Sequence, residues 1–237
     1  MFISKELFCR CAAEVGFLPD ETSLLRFDTY AHMLVDYNEK VNLTAITDPD
    51  GIVIRHFADS LALLRAAAPA EGASICDVGT GAGFPGVCLL IARPELRVTL
   101  FDSVNKKLAF IRLLLQELGL QAEIENVRAE AAGRDPAFRE RFDLATARAV
   151  AQLNLLSEYC VPLVRVGGTF APMKAPLSPE EAQRGIGAAA NLGARMEKRI
   201  PYTLGDGSAR EILFFQKISQ TPTKYPRNAA QISKKPL

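Results

Sequence analysis

The 237-residue sequence predicts an α/β fold in which a mostly parallel, doubly wound sheet ends in an antiparallel hairpin and follows an N-terminal helical extension. Short apolar runs alternate with helix-length segments from residue 73 onward, and a glycine-rich turn, Gly79–Gly86, follows the first run. Before residue 73, apolar residues recur at helical spacing. We therefore divide the chain into a helical extension (1–72), a sheet domain (73–219) and a basic C-terminal tail (220–237).

The extension is expected to contain three helices. Pro19-Asp20 separates the first two, and the turn-rich loop 42–51 precedes the third, which covers Ile52–Ala67 and ends before Pro69 and Gly72. The residues that share a helical face are Leu7, Cys11 and Val15 in the first helix and Leu24, Phe27, Ala31 and Leu34 in the second.

The sequence of the sheet domain predicts repeated strand-helix units. Gly167-Gly168 is interpreted as a turn, and Gly205-Asp206-Gly207 as the turn of a closing hairpin. The predicted strands are Ser74–Val78, Arg97–Asp102, Ala122–Val127, Phe142–Ala147, Thr169–Met173, Met196–Leu204 and Glu211–Ile218. The predicted helices run from near Pro85 to Pro94 and over Asn105–Leu118, Leu153–Val164 and Pro179–Gly193.

The turn Gly79–Gly86 and the acidic residue Asp102 indicate a nucleotide-cofactor site. Glycines allow close approach of a ligand to the backbone, and a carboxylate about twenty residues farther on can bind ribose hydroxyls. Asp77, which opens the turn, would repel the pyrophosphate of NAD but suits the ammonium and sulfonium of S-adenosylmethionine. A tight turn without a ligand, an NAD-dependent dehydrogenase and a nucleotide-sensing protein without catalysis are the alternatives.

Composition excludes several classes of site. The net charge of +1 argues against blanket electrostatic binding to nucleic acid, although it permits a local basic patch. The five cysteines form no Cys-x-x-Cys pair and there are only two histidines, so neither a disulfide framework nor a metal site is expected. No signal peptide or membrane-spanning run is found, so we expect a soluble, cytoplasmic protein.

Several segments are similar to those of the RsmG (GidB) methyltransferase family over nearly the full chain. Asp77–Gly86 resembles the cofactor loop of that family, whereas the first and last segments make the resemblance specific. The segments are Asn42–Ile46, Arg55–Leu61, Asp77–Gly86, Phe101–Lys107, Arg128–Glu130, Ala147–Ala149, Lys224–Arg227 and Ser233–Leu237. Two departures are Cys88 in the helix after the loop and Asn228–Ile232 within the tail.

The resemblance implies a Rossmann-like class I methyltransferase that transfers a methyl group from S-adenosylmethionine to N7 of a guanine in 16S ribosomal RNA of the small subunit. It places Ala129 and Glu130 at the adenine end of the cofactor, Asp102 at the ribose and Arg148 at the methionine end. The expected cofactor-binding residues are Gly79, Gly81, Phe84, Asp102, Ala129, Glu130 and Arg148.

No general base is expected, because N7 of neutral guanine has a free lone pair. The tetrapeptide typical of exocyclic-amine methylation is missing after the fourth strand, where the chain has Ala145–Arg148, and no Pro-Cys pair offers a thiolate. His56 is interpreted as a hydrogen-bonded structural residue, with RNA contact as the alternative. Arg148 is either functional or an ordinary surface arginine.

Basic residues are the candidates for RNA contact. The tail after Lys217 has no acidic residue, so it is either a disordered, solvated end or a basic arm on RNA phosphates. The candidates are Arg128, Arg148, Lys174, Lys224, Lys234 and Lys235.

Overall fold

The computed structural model describes all 237 residues, Met1–Leu237, and confirms the predicted α/β fold. One seven-stranded sheet has the order β3-β2-β1-β4-β5-β7-β6, in which β1 to β5 are parallel and β7 is antiparallel to both β5 and β6. The strands are β1 Ser74–Val78, β2 Arg97–Asp102, β3 Glu123–Asn126, β4 Phe142–Arg148, β5 Val164–Lys174, β6 Ala194–Thr203 and β7 Ala209–Lys217.

Helices cover both faces of the sheet and form the N-terminal region. None of them combines the length and apolarity that a membrane crossing requires. The helices are α1 Lys5–Glu14, α2 Glu21–Asn38, α3 Pro49–Gly51, a π-helix Ile52–Ala58, α4 Asp59–Ala67, α5 Gly86–Ala92, α6 Asn105–Leu118, α7 Ala129–Ala132, α8 Leu153–Cys160, a 3₁₀ turn Val161–Leu163, α9 Pro179–Asn191 and α10 Ala229–Lys234.

The point at which the strand order reverses lies between β1 and β4. Ile75 pairs with Val98 of β2 on one side and with Leu144 of β4 on the other. A ligand site of an open parallel sheet lies beyond the carboxyl ends of the strands at this point. The topology therefore brings the glycine turn after β1 next to the residues that follow β2 and β4.

The N-terminal helices share one hydrophobic core with the sheet. A cluster of 41 buried residues extends from Ile3 to Phe214. Tyr30 of α2 stacks on Phe84 of the glycine turn, with ring centroids 5.1 Å apart, and its hydroxyl donates to the Ala82 carbonyl at 2.6 Å. The N-terminal extension consequently packs against the glycine turn through Tyr30 and helps to hold it in place.

The predicted helix Ile52–Ala67 is partly wrong. Its first part, Ile52–Ala58, is π-helical, and only Asp59–Ala67 is α-helical. Single π turns are frequent at functional sites. Here the carbonyls of Arg55 and His56 accept hydrogen bonds from the guanidinium of Arg148 at 3.2 and 3.3 Å.

The predicted turn at Gly167-Gly168 is also wrong. The helix before it ends at Cys160 instead of Val164, and β5 runs from Val164 through both glycines. The register shifts opposite Phe142 and Leu144, and a Cβ on Gly168 would lie 2.8 Å from the Asp143 carbonyl. The glycines thus permit a β-bulge with close strand contact, which a turn pattern resembles in sequence.

The tail is folded, so the disordered alternative is wrong. Asn228 and Gln231 form a capping box that begins α10, and Ile232 is fully buried. The guanidinium of Arg227 contacts the buried carboxylate of Glu158 on α8 at 2.5 Å. Arg134, which follows α7, donates to the Pro226 carbonyl at 2.6 Å, so the tail lies beside α7 and α8.

Candidate functional site

The glycine turn after β1 is held open by left-handed backbone conformations. Gly79 and Gly81 have φ of +70° and +61°, values that favour glycine. A Cβ on Gly79 would lie 2.7 Å from the Val150 side chain, whereas a Cβ on Gly81 would meet only the Gly79 carbonyl at 3.9 Å. The turn at Gly81 is therefore open to a ligand that approaches the backbone.

Asp77 lies beneath the turn and is fully buried, not at its mouth. Its Oδ2 accepts hydrogen bonds from the Thr80 hydroxyl at 2.7 Å and the Gly86 amide at 2.9 Å, while its Oδ1 has no partner. Burial raises the pKa of Asp77 to about 6, although these hydrogen bonds oppose the shift. The carboxylate is thus mostly ionised at neutral pH and suits a cationic ligand.

Asp102 ends β2 and lines a cavity of about 190 Å³ beside the turn. Its Oδ2 accepts from the Gly81 amide at 2.9 Å and its Oδ1 from the Val104 amide at 2.8 Å. Each carboxylate oxygen keeps capacity for a further donor. The cavity also contains Gly79, Ala129 and Glu130, and it is smaller than the range of about 300–1,000 Å³ typical of ligand pockets. It can enclose only part of a nucleoside cofactor.

Arg148 ends β4 and lines a second cavity of about 530 Å³. Its guanidinium donates to Asp59 Oδ2 at 2.8 Å and lies 5.1 Å from the centroid of the Phe84 ring. Asp59 also accepts at Oδ1 from the Tyr202 hydroxyl at 2.7 Å. Burial and the neighbouring Asp59 raise the pKa of Tyr202 well above its ordinary value, so that the hydroxyl remains a donor.

His56 is a half-buried, neutral side chain in this network. Burial and the guanidinium of Arg148 lower the pKa of His56 to about 3. Its Nδ1 lies 3.3 Å from a guanidinium nitrogen of Arg148 and its Nε2 lies 2.8 Å from the Thr44 hydroxyl. Because Arg148 only donates, Nδ1 accepts and Nε2 carries the proton. The ring also stacks on Phe84 at 4.4 Å.

The segment that follows β4 separates the two cavities. Ala149 lines the cavity of Arg148, and the next residue, Val150, lines the cavity of Asp102. Ala149 has a φ of +57°, an uncommon conformation for a residue with a Cβ, which is often found at functional sites. The two cavities therefore adjoin each other at Ala149 and Val150.

The structure divides the expected cofactor residues between two places. Gly81 reaches the Asp102 cavity through its amide, whereas Phe84 packs beneath the turn and Arg148 faces the second cavity. A larger cavity, of about 870 Å³, lies at the amino ends of β1 and β2, the edge of the sheet opposite the glycine turn. The expected cofactor-binding residues that line the Asp102 cavity are Gly79, Asp102, Ala129 and Glu130.

Comparison with known families identifies the family of this chain. The sequence profile of the GidB family, described as rRNA small subunit methyltransferase G, matches residues 24–209. The chain belongs to the GidB family. The match includes the glycine turn, Asp102 and Arg148, and it covers every residue that lines the two cavities except Arg210.

Two curated relatives of the GidB family match almost end to end. Each is named ribosomal RNA small subunit methyltransferase G, one from Alkaliphilus metalliredigens and one from Lactobacillus delbrueckii subsp. bulgaricus. The first is 43% identical over 94% of this chain and 95% of its own length, and the second 43% identical over 99% and 100%. A methyltransferase structure from Pyrococcus furiosus shares the fold, with a TM-score of 0.58 at 15% identity over 81% of this chain and 97% of that one.

In this GidB family chain, sequence reasoning missed the residues that hold Arg148. Asp59 and Tyr202 are 143 residues apart, and no local pattern connects them. Asp59 lies within the segment Arg55–Leu61, which carried part of the family resemblance. That resemblance was the only signal that could have indicated a role for it.

Proposed function

We propose that this chain transfers a methyl group from S-adenosylmethionine to N7 of a guanine in 16S ribosomal RNA of the small ribosomal subunit. The observation that carries the proposal is the pair of adjoining cavities in a chain of the GidB family, one lined by the carboxylate of Asp102 and the other by several cationic side chains. We propose that the reaction takes place in the cytoplasm. Methyl transfer is favoured over the dehydrogenase and sensing alternatives because the relatives are named as methyltransferases.

The residues of the first cavity fit a cationic nucleoside. Asp102 has acceptor capacity for two ribose hydroxyls, and Ala129 and Glu130 lie on the same cavity at the start of α7. Asp77 does not line this cavity, but its ionised carboxylate beneath the turn favours a ligand with positive charge over one with a pyrophosphate. When bound, S-adenosylmethionine supplies an electrophilic methyl group on its sulfonium.

The second cavity fits a purine and the phosphate that follows it. Its volume of about 530 Å³ is within the range of ligand pockets, and Arg55, Arg148 and Arg210 supply positive charge. Asp59 and His56 fix Arg148, so the wall beside the glycine turn is preorganised. Positioning of this kind supplies much of the rate when no proton has to be removed.

The test is methylation of the small subunit. Mass mapping of 16S RNA from cells that lack the protein should reveal one guanine without its N7 methyl group. Purified protein and labelled S-adenosylmethionine should restore that methyl group on subunits from those cells, with naked 16S RNA as the comparison substrate. Label on another RNA, or on none, would contradict the proposal.

A further inference from the structure

Lys174 and Glu181 form a mostly enclosed ion pair on the wall of the 530 Å³ cavity. Lys174 ends β5 and Glu181 lies in the first turn of α9, and their Nζ and Oε1 atoms are 3.1 Å apart. The side chains are 16% and 22% exposed. The remaining exposure of both side chains is therefore available to a molecule in this cavity.

Each member of the pair has hydrogen-bonding capacity that the protein does not use. The ammonium of Lys174 has three N–H groups, and the protein uses two, toward the Ala151 carbonyl at 2.8 Å and toward Glu181. Both contacts of the Glu181 carboxylate end on Oε1, which also accepts from the Leu153 amide at 3.1 Å, while Oε2 accepts none. The pair consequently offers one donor beside one acceptor.

The edge of guanine has the complementary order. Its O6 is an acceptor next to N7, and its N1–H, which follows O6 around the ring, is a donor, whereas adenine places an amino donor at the position of O6. We propose that Lys174 and Glu181 are specificity-determining residues that select guanine, with Lys174 donating to O6 and Glu181 accepting from N1–H. This inference rests on the proposed function, because it concerns the base that enters the same site.

The charge of the pair favours a base over a phosphate at this point. A phosphate that approached Lys174 would also meet the carboxylate of Glu181 and be repelled. A neutral base edge satisfies both groups. Pro176 and Leu177, which lie between the two residues and line the same cavity, provide apolar surface for the face of a ring.

The segment that carries the pair is held in place. The Leu177 amide donates to Glu211 Oε1 at 2.8 Å, and Ser178 caps α9 through the Glu181 amide at 3.1 Å. A base bound to the pair would lie in the cavity lined by Ala149, one residue from the wall of the cofactor cavity at Val150. The pair therefore lies on the wall of a cavity that adjoins the Asp102 cavity, where we place the methyl donor.

The experiment compares purine analogues in the substrate. Small subunits are reconstituted with 16S RNA that carries guanine, inosine or 2-aminopurine at the methylated position, and single-turnover transfer from labelled S-adenosylmethionine is measured. Inosine keeps O6 and N1–H, so the wild type should methylate it within about tenfold of guanine. 2-Aminopurine keeps N7 but lacks both groups, and its rate should fall by about a hundredfold or more, since two hydrogen bonds to charged groups are lost.

The variants Lys174→Met and Glu181→Gln should each lower the guanine rate and reduce the ratio of guanine to 2-aminopurine rates by about tenfold or more. Glu180→Gln is the matched control, because Glu180 lies in the same helical turn but is exposed and outside the cavity. Calorimetry with S-adenosylhomocysteine and thermal unfolding establish that each variant is folded and binds cofactor.

A structural role for the pair would slow all three substrates equally and leave the ratio unchanged, which would overturn the inference. Efficient methylation of 2-aminopurine by the wild type would overturn it as well. If the wild type does not methylate guanine-containing subunits at all, the proposed function fails, and that outcome is distinct from an unchanged ratio.

Discussion

Asp77 and Asp102 both lie at the glycine turn, but their surroundings give them different roles. Asp77 is fully buried and fastens Thr80 and Gly86, so it shapes the turn. Asp102 lines a cavity and keeps acceptor capacity for a ligand. Burial distinguishes two carboxylates that the sequence presents as similar.

Asp102→Ala should weaken the binding of S-adenosylmethionine by about tenfold or more, because a hydrogen bond to a charged group contributes roughly 1.5–3 kcal/mol. Isothermal calorimetry measures the affinity. Asp143→Ala is the control, since Asp143 also fastens a backbone amide, that of Ser74 at 2.7 Å, but at the amino end of β1. Equal affinities for Asp102→Ala and the wild type would refute ribose binding.

Asp77→Asn should remove a pH dependence of stability. The pKa of Asp77 is raised from 3.8 to about 6 by burial, so the folded state retains a proton that the unfolded state has already lost. Its contribution to stability is present below pH 4 and falls by up to about 3 kcal/mol as the pH rises through 6. In urea unfolding, the variant should gain stability relative to the wild type over that interval.

Asp143→Asn provides the opposite sign. Burial raises its pKa, but hydrogen bonds from Ser74 and the contact with Arg165 outweigh that effect and lower the pKa below the ordinary value. Its stabilisation is therefore present above pH 4 and lost in acid, and the variant should be less stable than the wild type near neutrality. The same trend in both variants would contradict the assigned burial of Asp77.

At the scale of elements, the tail and helix α8 depend on one another. Glu158 is fully buried in α8, and both of its oxygens accept from Arg227 of the tail. Asn154 of α8 donates to the Leu237 carbonyl at 2.9 Å. Tyr159 of the same helix lines the Asp102 cavity, so the tail supports the wall of that cavity.

Arg227→Ala should lower the free energy of unfolding by about 3–5 kcal/mol, because it removes the charged partner of the buried Glu158 carboxylate and leaves only the backbone amide of residue 227 as a donor. Thermal and urea unfolding measure the loss. Deletion of the whole tail would also remove this ion pair, so its effect on RNA binding would not be separable from its effect on stability. A variant as stable as the wild type would show that the pair makes no such contribution.

Lys224, Lys234 and Lys235 are exposed, so they separate binding from folding. Their combined replacement by Gln should leave the unfolding midpoint unchanged and make binding to the small subunit weaker and less dependent on salt. Counterion release predicts that the slope of log K against log salt falls by up to about 2 if all three contact single-stranded phosphates. An unchanged slope would show that the tail lysines do not contact RNA.

At the scale of the whole molecule, the sheet brings the two cavities together. Burial raises the pKa of Asp77 to about 6, but this carboxyl is fully buried beneath the turn and lines neither cavity. Burial and Arg148 lower the pKa of His56 to about 3, and burial raises the pKa of Cys88 to about 12. We therefore expect the protein to position the reactants without an enzymic base.

Single-turnover methyl transfer at saturating cofactor and subunit should accordingly vary less than about twofold between pH 6.5 and 8.5. Rapid quenching with labelled S-adenosylmethionine measures this rate. Binding constants determined across the same interval serve as the control. A tenfold rise for each pH unit, with binding unchanged, would reveal an enzymic base.

The sequence alone determined the parallel sheet, the glycine turn, Asp102 and the closing hairpin. These features depend on residues close together in the chain, such as the alternation of strand and helix and the turn Gly205–Gly207. The bulge at Gly167-Gly168 was misinterpreted because a glycine pair permits a turn and a close strand contact equally well. Asn228 and Gln231 could have predicted α10 as a capping box.

Only the tertiary structure decided where the chemistry lies. Asp59 and Arg148 are 89 residues apart, and Glu158 and Arg227 are 69 apart, so no local spacing predicts either pair. The burial that shifts the pKa of Asp77 and of His56 exists only once the N-terminal helices pack against the glycine turn. Local conformation follows from neighbouring residues, whereas desolvation and charge pairing follow from packing between distant ones.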